Sequence, residues 1–410
     1  MPRDLLAGIR IADLTHFWSG PHCTSLLGAM GAEVIKIESP QRPDGFRLIT
    51  PINLADDHWY EQAGMWNSVN TNKRGIKLEL RSEIGRQAFL RIIEKSDVLI
   101  DNFSPRVMKN FGFEYEKLKE INPRLVMAQL SCLGQTGPWR DFVGFGTTFD
   151  QLGGAAALTG YEDGPPQDIM TVSDLIAGLT AAYAILIALR ERERTGFGQY
   201  IDMSEVESLA TLLGKQIIEY QLTGNIEPRR GNRHPVFAPH NAYPCAGEDN
   251  WVAISVTSDA EWAALARAMG RPDYGSDPRF ATVLQRKRNE GEIDGLIGDW
   301  TRDQDKRAVM ELLQSHGVRA GAVLKFSELP EDQQFRARSM FKKLSREFVG
   351  EKLYIQFPLH FSDAVCDQRF ASPTLGQHTE EVLRDLVELT PEEIEELPRE
   401  SFIARPGLGV

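Results

Sequence analysis

Apolar and polar positions follow two rhythms along the first half of the chain. Short apolar or alternating runs at residues 9–14, 33–38, 75–80, 97–102 and 125–131 predict strands. Stretches of helical period lie between them. Ser19-Gly20-Pro21 reads as a cap and an N1 proline opening a helix to about Met30, where Gly31 supplies the stop. Residues 83–94 carry a further helical stretch. Strand–helix alternation of this kind predicts βαβ units and a parallel sheet. The richest apolar run, residues 175–189, is interrupted only by Gly178 and Thr180. With Gly196 as its stop, it predicts a helix buried in a large core. Residues 199–203 then predict a strand and 205–222 one more helix.

Beyond Thr223-Gly224 the pattern breaks into a stretch rich in Pro, Arg and His that runs to Pro244, the signature of a loop and a domain boundary. A strand at 251–256 and a helix at 259–269 open a smaller α/β unit reaching about Leu329. A strand near 353–357 and an acidic helical tail close the chain. At 410 residues, two domains are the natural division. The expected organisation is a discontinuous large domain, 1–200 with 330–410, a linking helical region at 201–224, and a small domain at 225–329.

Composition narrows the function classes. A net charge of −12 argues against a nucleic-acid binder, while leaving room for an anionic ligand held by a few local Lys and Arg residues. Cys23, Cys132, Cys245 and Cys366 lie far apart without a CxxC pair, which suits a reducing compartment and indicates neither disulfides nor a zinc site. The opening MPRDLLAGIR lacks the layout of a signal peptide, and the run at 175–189 is shorter than the ~20 residues of a membrane span. A cytoplasmic protein without a membrane segment is therefore expected. No GxGxxG follows the first strand and no P-loop is present, so NAD and ATP chemistry find no support.

One acid stands out. Asp174 sits at the mouth of the long apolar helix, with Ser173 as the expected cap. There the helix dipole should depress its pKa, and an ionised carboxylate facing a dry interior is able to attack an acyl group. The same placement also suits a residue that merely caps the helix. Cys23 and Cys132 carry no local signature of a nucleophile and read as inert, part-buried thiols.

Several segments, taken in order, resemble the family III CoA-transferases, the group that includes formyl-CoA:oxalate, carnitine, bile-acid and benzylsuccinate CoA-transferases. They are GIRIADLTHFWSGPHCTSLLGAMGAEVIKIESP, NTNKRGIKLEL, DVLIDNFSP, SCLGQTGP, GGAAALTG, RERTGFGQYIDMS and SPTLGQHTEEVLRDL. The resemblance implies a Rossmann-like large domain with a smaller α/β domain and an intertwined homodimer, or a heteromer with a related subunit. It implies no permanently bound cofactor, with a CoA thioester as substrate and a carboxylic acid as acceptor. Asp174 takes the place of the nucleophile that forms an aspartyl anhydride and then an aspartyl-CoA thioester. By the same resemblance, His16, Phe17, Trp18 and Ser19 form the loop along the pantetheine arm. Leu78 and Arg81 line the adenine and phosphate region, and Asn102-Phe103 match a pair in the CoA pocket. Lys36, Lys73, Arg74 and Lys109 are candidate phosphate contacts. Ser39 replaces an Arg of formyl-CoA transferase-like members, which removes one such contact.

The family also holds α-methylacyl-CoA racemases, whose base is a His in a Gly-His-Asp segment. Here that segment is Gly144-Phe145-Gly146-Thr147, and a phenyl ring takes no proton. A catalytically silent subunit is the other alternative, against which Asp174 stands. Residues 229–244 align with the lid of formyl-CoA transferases but lack its glycine run. His234, Val236, Phe237 and His240 stand there instead, and Phe17, Trp18, Phe145, Val236 and Phe237 imply an acyl group larger and more apolar than formate or oxalate. Lid histidines or Arg233 anchoring a second carboxylate would make an aromatic or branched dicarboxylic acid, such as benzylsuccinate, a concrete candidate.

Overall fold

The predicted strands assemble into one six-stranded sheet in the computed structural model, which describes residues 3–49, 53–168 and 170–397. The strands are β1 (Arg10–Asp13), β2 (Glu33–Glu38), β3 (Lys73–Lys77), β4 (Val98–Asp101), β5 (Val126–Ser131) and β6 (Tyr200–Ser204). Their order is β3-β2-β1-β4-β5-β6, and every neighbouring pair is parallel. Parallel strands need crossover helices, and these cover both faces. The helices that matter for the site are α1 (Ser19–Ala29), α2 (Glu83–Glu94), α3 (Gly146–Leu152), α4 (Val172–Thr195), α5 (Glu205–Ala210) and α6 (Gly214–Thr223).

Side chains of successive strand residues point to opposite faces, so the sheet divides the core in two. Ala12, Ile35, Ile76, Leu99 and Met127 pack against Phe89, Ile92 and Ile93 of α2. Ile11, Val34, Val98, Ile100 and Ala128 pack against Leu27 of α1 and Ala177, Ala181 and Ile185 of α4. Each fully buried Leu, Ile or Phe among them contributes about 1.5–3 kcal/mol.

Small residues set how closely α1 and α4 approach. A Cβ on Gly178 would stand 2.5 Å from the Ser19 carbonyl oxygen, so only glycine fits that crossing. Contrary to expectation, α4 is not buried all round. Ala177, Ala181, Ile185 and Ala188 face the core, whereas Leu179, Tyr183 and Ile187 on the far side are exposed. The helix also extends past the apolar run at both ends, to 24 residues, and its best window reaches a mean hydropathy of 2.0. Length and composition alone would thus allow a membrane span; in this chain the small-residue face is built into the core of the sheet.

Further boundaries differ from the sequence reading, among them β3, which ends at Lys77 rather than at residue 80. Helix α1 begins at Ser19, with Trp18 at the N-cap making no side-chain cap bond, because the Ser19 hydroxyl is directed to Glu205. The single helix expected over 205–222 is broken into α5, a 3₁₀ turn at Thr211–Leu213, and α6, where Thr211 and Gly214 weaken helix continuity.

The chain separates into two compact units. The large one takes residues up to 156, 168–225 and from 333 onward; the small one takes 157–167 and 226–332. The region 201–224, expected to be a link, thus folds with the large unit, and 157–167 joins the small one. The small unit holds an antiparallel sheet of β7 (His240–Pro244), β8 (Trp251–Ser255) and β9 (Arg319–Ala322), with β8 central. Its own core includes Trp262, Phe280, Ile293, Ile297 and Leu313.

Candidate active site

In an open parallel sheet, ligands bind outside the carboxyl ends of the strands where the strand order reverses, because the loops there part to opposite sides. That point lies between β1 and β4, and a cavity of about 600 Å³ opens at it. Phe17 and Trp18 reach it from the loop after β1, Asn102 from just after β4, Cys132 from just after β5 and Glu205 from the start of α5 after β6. Asp174 and Phe145 complete the wall.

Asp174 is held by parts distant in sequence. Thr171, in the left-handed region at φ 54°, turns the chain into α4 without capping it through its side chain. Ser173 is not the cap either. Its N–H donates to Asp150 Oδ1 at 3.0 Å, so a carboxylate from α3 closes the start of α4. Gly146 makes room for the site, since a Cβ there would lie 2.2 Å from Asp174 Oδ2. The Ser19 backbone N–H donates to the Asp174 carboxylate.

The expected dipole effect is overturned. Burial, with the Asp150 charge adding to it, raises the Asp174 pKa to about 6, and the Ser19 N–H only partly opposes this. The apolar setting outweighs the helix dipole because desolvation penalises the charge directly.

A second carboxyl group, missed in the sequence, shares the cavity. Glu205 is buried at the first turn of α5, whose cap is Ser204, and its Oε1 accepts the Ser19 hydroxyl at 2.6 Å. Burial and the neighbouring Asp174 charge push its pKa up to about 8, against the Ser19 hydrogen bond. Its sequence signal was slight: it directly follows the QYIDMS segment that ends β6. Cys132, raised to about 12 by burial and then by Glu205, stays a thiol and has no nucleophilic character.

An aromatic wall faces these acids. Phe17 is held at φ 61° by Asp44, whose Oδ1 accepts the N–H groups of Phe17 at 3.0 Å and Phe46 at 2.9 Å. The Phe17 ring meets Phe145 edge-on at 5.2 Å and Phe46 at 5.6 Å. A Cβ on Gly45 would sit 2.3 Å from that ring, so a side chain there would displace Phe17 from its place. Arg140 is the cation on this wall, and among the described residues its acidic partner is Asp141 beside it, at 3.4 Å.

A second cavity, also about 600 Å³, borders the next stretch of the same loops. His16, Leu78, Arg81 and Phe103 line it, together with Arg42 and Arg86, which the sequence reading did not single out. His16 packs on Phe103 at 5.5 Å and burial lowers its pKa, keeping it neutral. Asn102 orients the loop: its Oδ1 accepts the His16 N–H at 2.7 Å, and its Nδ2 donates to the His16 carbonyl and the Ser19 hydroxyl.

Other expected residues lie elsewhere. Lys36 and Lys73 are fully buried under the loop, bonded to Asp44 and Asp13 respectively, and are closed to a phosphate. Burial alone would raise the Asp13 pKa, yet Lys73 and Lys36 hold it at about 2. Arg74 bridges Glu33 and Glu381 on the outer edge of the sheet. Lys109 is exposed beside Arg106, Glu114 and Tyr200 in a separate depression. His234, Phe237 and His240 belong to the small unit, where the His234 ring stacks on Phe237 at 4.6 Å and lies 5.5 Å from His240. Arg233 is taken by Asp294 at 3.1 Å. Among the described residues, no group of three or more His, Cys, Asp or Glu side chains is disposed to hold a metal ion.

Comparison with known proteins is consistent along the chain. A succinyl-CoA–D-citramalate CoA-transferase of Chloroflexus aurantiacus is 35% identical over 95% of this chain and 96% of its own length. A formyl-CoA:oxalate CoA-transferase of Streptomyces coelicolor is 32% identical over 96% and 98%. The crystal structure of a CAIB/BAIF family protein from Brucella suis superimposes with a TM-score of 0.85 at 31% identity, covering 94% of this chain and all of that one. The model of CoA-transferase family III matches residues 6–379, and with likeness of this extent in sequence and fold, the chain belongs to that family.

Proposed function

We propose that the chain moves CoA from an acyl-CoA thioester to a free carboxylic acid, with Asp174 carrying first the acyl group and then CoA. The observation that carries this reading is the Asp174 carboxylate, set in an apolar cavity at the sheet's switch point. The nucleotide end of CoA fits the second cavity, where Leu78, His16 and Phe103 offer apolar contact and Arg42, Arg81 and Arg86 offer charge. The shared loop of His16 to Ser19 then leads the thioester toward Asp174.

The Asp174 carboxylate attacks the thioester carbonyl carbon; the C–S bond breaks and the CoA thiolate leaves. The thiolate next attacks the Asp174 carbonyl carbon of the anhydride, expelling the donor carboxylate and leaving an aspartyl-CoA thioester. The acceptor carboxylate attacks that thioester, and thiolate attack on the new anhydride regenerates Asp174. Thioester is exchanged for thioester, so the protein needs only to position, stabilise oxyanions and exclude water.

The aromatic wall with Arg140 suits an acyl chain of several carbons bearing a second carboxylate, and the succinyl-CoA–D-citramalate relative supports that class. Arg140 takes the anchoring part first assigned to Arg233. A panel of acyl-CoA donors and free acids, followed by mass spectrometry in heavy water, tests the reading. CoA exchange with succinyl-CoA or similar donors is expected, without deuterium entering the α-carbon of a 2-methylacyl-CoA. Wash-in at the turnover rate would favour the racemase instead.

The working unit is a dimer of this chain. Helix α6 has no buried residue, and Ile217, Ile218 and Leu222 stand exposed on it, as do Leu179, Tyr183 and Ile187 on α4. Monomers rarely leave that much apolar surface in water. Light scattering should return twice the chain mass; a monomer at micromolar concentration would refute it. The cytoplasm is the proposed location, on the four unpaired thiols.

A further inference from the structure

We propose that Glu205 is a second working acid of this site: a neutral carboxyl group that donates a hydrogen bond to the substrate oxygen on which charge builds when Asp174 attacks. The inference rests on the CoA-transfer reading above. Glu205 lines the same cavity as Asp174, and its charge and that of Asp174 bear on one another. One oxygen, Oε1, is committed to the Ser19 hydroxyl at 2.6 Å. That hydroxyl in turn accepts from Asn102 Nδ2 at 3.2 Å, which fixes Ser19 as donor to Glu205. Oε2 has no hydrogen-bond partner among the described residues.

Ser19 therefore serves both acids, its N–H on Asp174 and its hydroxyl on Glu205. Two carboxylates in one apolar pocket do not both ionise easily: once Asp174 loses its proton, that charge holds the proton on Glu205. The pair is thus divided into a nucleophile and a hydrogen-bond donor, from two residues of the same chemistry. During attack the carbonyl π electrons move onto oxygen, and Glu205 O–H shortens its hydrogen bond to that oxygen. The proton stays on Glu205 as the C–S bond breaks, so the CoA thiolate leaves unprotonated and ready for the next attack. A charged donor is not required, and a carboxylate in that place would repel the oxyanion.

The ionisable groups around Glu205 are few. Asp174 from α4, Cys132 just after β5 and Arg140 line the same cavity, and Asp150 from α3 acts on Asp174. On β6, Asp202 accepts the Gln135 N–H at 2.9 Å. Cys132 titrates near 12, well above the working range. Lys73, brought down to about 8 by burial, lies in the Asp13 and Asn70 network under α1.

The test is the pH dependence of kcat/KM for CoA transfer in the wild type, Glu205→Gln and Glu205→Leu. The wild-type rate should rise as Asp174 ionises near pH 6 and fall near pH 8 as Glu205 loses its proton. Glutamine keeps the size and a donor, so this variant should retain most of the rate at pH 7 and lose the falling limb. Leucine should lose roughly 10²–10³-fold in kcat while melting like the wild type. A falling limb that persists in Glu205→Gln would assign it to Lys73 or the substrate and overturn the proposal, as would a leucine variant with wild-type kcat. Absence of transfer in the wild type at every pH is a different result: it removes the CoA-transfer reading itself, and this assignment with it.

Discussion

Replacing Asp174 with alanine is expected to abolish CoA transfer, by roughly 10⁴-fold or more in kcat/KM, without unfolding the protein. The two effects separate because Asp174 does not close its own helix: Asp150 accepts the Ser173 N–H at 3.0 Å and does so whether or not Asp174 is present. Incubation of the wild type with an acyl-CoA should leave a CoA adduct on the peptide containing Asp174, and the variant should show none. Full activity in Asp174→Ala would remove the nucleophile assignment. Stability moves in the opposite sense to activity. The folded-state pKa, about 6, lies above the unfolded value of 3.8, so the folded chain binds the extra proton. Stability tied to this group is present below pH 3.8 and is lost as pH rises through about 6. At pH 8 Asp174→Asn should therefore be no less stable than the wild type, even though it is inactive.

The largest loss of stability is expected for Arg47→Met. Arg47 is fully buried and binds Glu38 at 2.9 Å and Glu61 at 2.7 Å, with Arg346 sharing Glu61 from the other side. Its guanidinium lies 3.5 Å from the centre of the Trp66 ring, and its NH2 group reaches the Pro373 carbonyl. Removing one cation leaves Glu38 and Glu61 charged in a dry interior, which costs about 3–5 kcal/mol. Arg74→Ala breaks two pairs of comparable length at partly exposed positions and should cost at most about 1 kcal/mol. Urea unfolding followed by tryptophan fluorescence compares them directly; equal midpoints for the two variants would refute the ranking. The network ties the start of the chain to Pro373 and Arg346, so its loss should also loosen the return of the late segment onto the sheet.

Local chemistry was legible in the residues themselves. Alternation at Glu33–Glu38 and the amphipathic period of Glu83–Glu94 gave those elements end to end, because each pattern is satisfied within a few residues of itself. The place of Asp174 at the head of α4 was legible for the same reason. Its environment was not. Glu205 and Asp150 come to Asp174 because β6, α3 and α4 converge on one end of the sheet, and no local pattern encodes that meeting. The sign of the Asp174 shift followed from burial and like charge, which outweighed the dipole that a lone helix would supply. Lys36 and Lys73 stood in the sequence as candidate phosphate contacts; as buried residues of β2 and β3, they are counter-charges to Asp44 and Asp13. At the second cavity Arg81 is joined by Arg42 and Arg86, neither of which carries a motif. A side chain's type and its secondary structure are short-range properties. Its dielectric, its neighbours' charges and its access to ligand are set only when distant strands pack, and those quantities separate two carboxyl groups of one cavity, Asp174 at about 6 and Glu205 at about 8.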